Sequence, residues 1–408
     1  MFFARAARRW GIDRGSPRAR ATGVVLALAL AIAAAVAMPR LPAGWHLNVL
    51  APGWLPYQLV RLIEYSNDLQ VALVADRPSA PHPDIALVLI REETLADLPY
   101  FSPIDRARLG EIVKAVDGLG ARVIGLDILL DSATEPDKDR AFSDIVTRRR
   151  AAMVLGGADE RAALSERRRA WQARFLADRD LPYGFFNLRY DVREAADGSV
   201  VRARAAPYPG SPCGLACAEA VAKAAGVKDW PQGRRIPWLA EPRGGGDTFV
   251  TLDAESVLAA ERDPDSALAR AIEAQLLNRI VLIGADLDGR DRHPTPLTRV
   301  TGEDMLGVAI HAQILAGLID GRSIVDVGPV ALAVLAFLAA LLGTLAGWFA
   351  ARRRLVLLGL IGVGIGLVLA TSAIVLWQSQ AIVPLAGLSA TLVGTALGAR
   401  MLRSLLGV

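Results

Sequence analysis

The chain has 408 residues, 53% of them hydrophobic and 22% charged, with a mean hydropathy of +0.33. These figures exclude a disordered chain, a disulfide-rich mini-protein and a protein buried in lipid from end to end. The net charge of +4 points to nucleic acid only until it is divided by segment: short Arg runs within residues 1–20, 352–354 and 400–403 carry +10 and leave residues 39–326 at −6, so the basicity marks membrane topology rather than a DNA or RNA surface.

The first element is the uncharged stretch 21–38, which follows the basic tail 1–20. It reads either as an uncleaved membrane anchor or as a signal peptide with a cleavage site at Ala35-Val36-Ala37. Residues 39–326 follow as one polar block. Ile85–Ile90 is β-like. Ile104–Leu119 has helical spacing and ends at Gly118 and Gly120. Arg122–Leu130 is a second strand candidate, Asp137–Thr147 a helix and Ala151–Leu155 a third strand. This βαβαβ alternation predicts a parallel sheet covered by helices. Arg161–Phe175 reads as a charged, solvent-exposed helix or lid. Phe185–Tyr190 and Val200–Arg204 flank Asp197-Gly198 as a hairpin insertion. Ala216–Ala225, Asp253–Ala260 and Ser266–Leu276 read as helices, Ile280–Ile283 as a fourth parallel strand and Gly307–Leu318 as the last helix of the block.

Three further uncharged stretches, 327–351, 355–377 and 381–399, each fit a membrane helix, and a tail 400–408 follows. Pro329 and Pro384 sit near span starts, and Trp348 and Trp377 near span ends. By the positive-inside rule both termini and Arg352–Arg354 are cytoplasmic and residues 39–326 are exported. The spans carry no ionisable group, which argues against a pump or channel. Gly359, Gly362, Gly364, Gly366, Gly394 and Gly398 suit close helix packing, within one bundle or against a partner helix. The fold class is thus α/β: an exported, mainly parallel sheet domain with a hairpin insertion, carried by one N-terminal and three C-terminal membrane helices.

Ligands of open parallel sheets bind beyond the carboxyl ends of the strands. Here those ends carry Asp127, Asp131 and a loop with Asp286, Asp291, His293 and Thr295; His311 follows on the last helix. These seven residues are the candidate ligand site, the alternative being that the carboxylates cap helices and turns. Asp127, Asp291, His293 and His311 carry metal-ligating atoms, but spacing alone does not bring them together, and no metal or cofactor is assigned. There is no Walker A, G-x-S-x-G or H-E-x-x-H sequence and no kinase or cyclase signature, so no catalytic residue is assigned and the chain is not expected to be an enzyme. Cys213 and Cys217, four apart in an oxidising compartment, are either a disulfide or two buried thiols.

Four pieces in order carry a family resemblance: Asp84–Ile90 with Glu93-Thr94-Leu95; Gly120–Leu130 followed by Asp139; Gly184-Phe185-Phe186-Asn187 followed by Asp197–Arg202; and Asn278–Gly284 with Asp291, Thr295-Pro296-Leu297 and Gly307–Ala312. Over residues 46–325 the chain resembles the type-two CHASE domain family, sensory extracellular domains associated with cyclases and histidine kinases. The family layout is an anchor, an extracytoplasmic sensory domain and usually three spans before a cytoplasmic output domain. Two positions depart from it. Arg91 stands where the family commonly has an acidic residue, and Pro99–Pro103 where an aromatic-Pro-aromatic stretch is usual. The resemblance implies a bacterial inner-membrane sensor whose periplasmic domain binds a ligand or envelope protein. With nine residues after the last span, the signal is expected to leave through a separate output protein, and a homo-oligomer fits the same layout. The alternative is a structural or assembly subunit that uses the exported domain as a docking surface.

Overall fold

The computed structural model describes residue 25 and residues 55–177, 181–190, 200–209, 214–287, 291–350 and 353–406. The chain forms two compact units, one of residues 75–324 and one of residues 1–74 with 325–408.

The first unit is built on six strands: β1 (Ile85–Ile90), β2 (Val123–Asp127), β3 (Ala152–Gly157), β4 (Tyr183–Phe185), β5 (Val250–Asp253) and β6 (Ile280–Ala285). Their order is β4-β3-β2-β6-β1-β5 and every pairing is parallel. β1 is apolar throughout and buried throughout, as a strand covered on both faces must be. On one face pack α1 (Arg106–Gly118), α2 (Pro136–Arg148), α5 (Ala254–Arg262) and α6 (Ala267–Leu276), around Val88, Leu126, Phe142, Val257 and Ile283. The other face carries α4 (Cys217–Ala224) and α7 (Gly307–Ile319). Small residues let these helices sit close: a Cβ on Gly284 would lie 2.6 Å from Val308, and one on Gly125 3.0 Å from Val221.

The expected βαβαβ alternation is present, with two corrections. Val250–Asp253 forms edge strand β5, so the helix expected from Asp253 starts at Ala254. The charged helix, α3, spans Glu166–Ala177 rather than starting at Arg161. Arg189–Tyr190 pairs antiparallel with Val201–Ala203, as a hairpin insertion should, whereas Phe185 belongs to the main sheet. The turn 197–198 lies outside the described residues, as does Cys213; Cys217 is buried at the start of α4.

Asp105 shows how one side chain fixes an element here. It caps α1 by accepting from the N–H groups of Ala107 and Arg108 at 2.9 and 3.0 Å, and it also accepts from Lys138 on α2. Burial opposes its charge, but these donors outweigh burial and hold its pKa below the usual carboxylate value. The stability it contributes is therefore present at neutral pH and lost as the pH falls through that lowered pKa. Asp105→Ala is expected to destabilise the full chain by about 1–2 kcal/mol at pH 7. Denaturant midpoints read by tryptophan fluorescence check this, and the difference should shrink in acid.

The second unit holds three helices long and apolar enough to cross a membrane: α8 (Pro329–Phe349), α9 (Arg354–Ser379) and α10 (Leu385–Leu406). Residues 381–382, expected within the last span, instead form a short parallel pair with Val325–Asp326. An unanticipated helix, Leu55–Val74, belongs to the same unit; its Gln70 Oε1 accepts from Ser372 Oγ on α9 at 2.7 Å. The expected anchor 21–38 lies outside the described residues apart from residue 25. Of the glycines singled out in the spans, Gly364 packs against Leu392, and Gly359, Gly362, Gly366 and Gly394 face open space. The closest approach is made by Gly343 and Gly347 on α8. Added Cβ atoms there would collide with the backbone carbonyls of Leu392 and Ala396 on α10. Arg403 also donates to the Trp348 carbonyl and lies over its ring.

Candidate functional site

At the carboxyl ends of β2, β3 and β4 lies a cavity of about 680 Å³. It is bounded by Asp127 and Leu129 after β2, Gly157, Ala158 and Arg161 after β3, and Phe186, Asn187 and Leu188 after β4. Ala206, Asp291, His293 and the first turns of α7, through Gly307 and His311, complete the wall. The sheet dictates this position, because parallel strands end together and their connections diverge above it.

Asp291 is held by its backbone. It is one of few non-glycine residues with positive φ, at 55°, and its carbonyl accepts from Gly307 N at 2.9 Å. A Cβ on Gly307 would collide with the Asp291 carboxylate. Glycine at this position thus lets the carboxylate rest against the N-terminal turn of α7, where the helix dipole favours negative charge. His293 Nε2 lies 2.9 Å from Asp291 Oδ1.

His311 is 4% exposed, and its Nε2 lies 3.2 Å from the Phe186 carbonyl oxygen. Burial pushes its pKa down to about 4, against the opposing pull of the Asp291 charge and the Phe186 carbonyl. The ring is therefore neutral at pH 7. A carbonyl can only accept, so the ring proton is on Nε2 and Nδ1 keeps a lone pair. That Nδ1 has no hydrogen-bond partner among the described residues. Burial, and then the charge of Asp291, raise the Asp127 pKa well above the ordinary carboxylate value. Its carboxyl meets no hydrogen-bond partner among the described residues.

Arg161 is neutralised by Asp159, to which its Nε donates at 2.8 Å, and its guanidinium lies over the Phe185 ring. Asn187 Oδ1 accepts from Asp159 N at 2.9 Å. Arg161 and Asn187 are thus held by these paired groups, while Asp127 and Asp291 bring carboxyl groups to the same cavity.

Of the seven residues singled out by sequence, Asp127, Asp291, His293 and His311 meet at this cavity. The other three are engaged elsewhere. Asp131 is buried and paired with Arg168 of α3. Asp286 lies between Arg292 at 2.7 Å and Arg91 at 3.5 Å, and Arg91 also binds Asp253 at 2.6 Å. The basic residue at position 91 therefore serves the ends of β1, β5 and β6. Thr295 is buried, and its N–H donates to Thr298 Oγ1 in a turn. Sequence reading assigned no site role to Gly157, Ala158, Arg161, Leu188, Ala206 or Gly307. Phe186 and Asn187 were visible only as part of the Gly184–Asn187 motif. No three His, Cys, Asp or Glu side chains converge as a metal set among the described residues.

Comparison with protein families gives a match to the CHASE2 domain over residues 46–379. No curated protein and no solved structure matches the chain.

Proposed function

Because the chain belongs to the CHASE2 domain family, an extracellular sensory domain family, we propose that it is a signal-input protein of a bacterial inner membrane. In this reading residues 39–326 lie in the periplasm, both termini are cytoplasmic, and the cavity above β2, β3 and β4 binds the signal. The observation that carries the proposal is the His311 wall. The helix that lines the cavity, α7, is followed after residues 320–328 by the first apolar span, α8. Occupancy at the N-terminal turns of α7 thus bears on the segment that runs on into the membrane. A ligand shifts such a system only through different affinity for two conformations. The spans pass the change to a separate output protein, and the chain itself performs no catalysis.

The test is purification of the tagged full-length protein from native membranes in mild detergent, with co-purifying proteins identified and their activity assayed. A cyclase, kinase or transcriptional regulator in stoichiometric amount is expected. Its activity should change severalfold when Ala206→Trp fills the cavity without altering the melting temperature. An envelope complex that is indifferent to Ala206→Trp and to the Asp127→Ala, Asp291→Ala pair would instead identify a docking subunit.

A further inference from the structure

The end of the sheet opposite the cavity gathers positive charge. Arg122 N donates to the Arg279 carbonyl at 2.8 Å, and Ala152 N donates to the Arg122 carbonyl at 3.2 Å. The backbone thus sets the starts of β3, β2 and β6 side by side, about 4.8 Å from strand to strand. Arg148 and Arg150, where α2 turns into β3, are exposed, as is Arg122, and Arg279 is half-buried. Arg149 turns inward instead, onto the Val146 carbonyl. Asp117, at the end of α1, does not neutralise this row. Its carboxylate accepts from the N–H groups of Arg150 and Ala151 at 3.0 and 2.7 Å, and Arg150 Nε lies 3.9 Å away. Arg122, Arg150 and Arg279 each donate to one backbone carbonyl, of Ala225, Asp117 and His82, at 3.4, 3.4 and 3.2 Å. A carbonyl positions a guanidinium but leaves its charge and most of its five donors unmatched. Leu277, 58% exposed, stands beside the row, and a Cβ on Gly120 would lie 2.7 Å from it.

The chain enters and leaves the domain at this same edge. His82, whose carbonyl takes Arg279, precedes β1, and its Nε2 lies 3.3 Å from Asp320 Oδ1 at the end of α7. Residues 320–328, which lead on to the first apolar span, can reach at most about 30 Å. A bilayer surface within that reach presents phosphates in a plane, and guanidinium groups pair with phosphate in bidentate fashion. An exposed leucine among cations adds apolar contact at such a surface. We propose that the strand-start edge of the domain docks on acidic phospholipid head groups through Arg122, Arg148, Arg150 and Arg279, with Leu277 beside them. Such docking is independent of the sensory reading and holds equally for an assembly subunit.

The test uses the full-length protein in lipid nanodiscs that carry a nitroxide on some head groups. A fluorophore is attached through Gly118→Cys, an exposed position where a Cβ meets nothing within 4 Å. The signal of the unsubstituted chain, with its own Cys213 and Cys217, is subtracted. Quenching is expected to be severalfold stronger in phosphatidylglycerol than in phosphatidylcholine, and to fall as salt rises. Each arginine near an acidic membrane surface strengthens attachment roughly fivefold. Arg122→Gln with Arg150→Gln should therefore lower the ratio of docked to free domain by roughly twentyfold. Arg140→Gln with Arg167→Gln removes the same charge from the first turns of α2 and α3, at the other end of the sheet, and should leave the ratio unchanged. If the first pair lowers the melting temperature, the lipid and salt dependence of the Gly118→Cys chain with all its arginines still decides. Equal quenching in the two lipids, or equal losses from the two arginine pairs, overturns the proposal. Heparin that binds the unsubstituted chain but not the Arg122, Arg150 pair, with no effect of lipid charge, would assign the row to a soluble polyanion instead.

Discussion

Acidification from pH 7 to pH 4 will destabilise the exported domain through His311, by about 3 kcal/mol if its folded pKa is near 4 against 6.5 unfolded. Above pH 6.5 the imidazole is neutral in both states and contributes no pH dependence. Below that value the unfolded chain takes up a proton that the folded chain refuses, so stability falls until the pH reaches about 4. Three groups besides burial bear on this ring. Asp291 and the Phe186 carbonyl favour its charged form, His293 acts with burial against it, and burial outweighs the first two. Asp127 acts in the other direction. Its raised pKa means that the folded state binds its proton first, so acid relieves rather than stresses it. The informative quantity is therefore the difference between wild type and His311→Gln, because Asp127 is common to both. Urea midpoints of the full chain at pH 7.5 and 4.5 should show the wild type losing about 2–3 kcal/mol more than the variant. Parallel losses in the two chains would refute the assignment of a neutral buried ring.

The second large effect is expected in the membrane unit. Gly343 and Gly347, one turn apart on α8, meet the backbone carbonyls of Leu392 and Ala396 on α10, and Gly343 also meets the Thr395 hydroxyl. A backbone carbonyl cannot swing aside, so any side chain at these positions forces the two helices apart along their length. Overpacking of this kind costs about 1–3 kcal/mol per site in well-packed interiors, and sometimes more. With the close-packed Gly-x3-Gly face lost, little else drives apolar helices together in lipid. The Gly343→Leu, Gly347→Leu double variant should thus lose the α8–α10 contact. Disulfide cross-linking between cysteines introduced on the two helices would fall to background, and unfolding would begin at lower dodecyl sulfate fractions. Gly359→Leu and Gly366→Leu are the controls. Both positions face open space, and both variants should behave as wild type. A double variant that cross-links normally would mean that the spans do not pack through this face.

The legible part of the fold was the part governed by long periodic patterns. β1, β2, β3 and β6 are runs of buried apolar residues, and α1 and α7 carry clear helical spacing with glycine punctuation. β5 was missed because four residues, none fully buried, pass straight into a helix that looks continuous with them. Leu55–Val74 was missed because Arg61, Glu64, Asn67, Asp68 and Gln70 interrupt its apolar run. In the site, the rule that parallel sheets bind at their carboxyl ends found Asp127, Asp291, His293 and His311. It could not separate these from Asp131 and Asp286, since a few residues beyond a strand end suffice to turn a carboxylate toward Arg168 or Arg292. The uncharged lining, Gly157, Ala158 and Ala206, leaves no chemical signal in a single sequence. Gly307 was visible only as part of the Gly307–Ala312 motif, and its role emerges once the Asp291 carboxylate is seen lying against it.

The placement of β6 between β1 and β2 sets the timetable on which the domain can form. β1 pairs with β5 and β6, segments that lie about 160 and about 195 residues later in the chain. The strands made between them, β2, β3 and β4, pair with one another and leave β1 without a neighbour. A chain exported from its N-terminus therefore delivers Ile85–Ile90, six apolar residues without a charge or a proline, long before the strands that will cover it. Contacts so distant close slowly, and a short uncharged β-prone segment left waiting is an aggregation hazard. The wait for β6 is thus the interval in which folding of this domain competes with association between copies of β1.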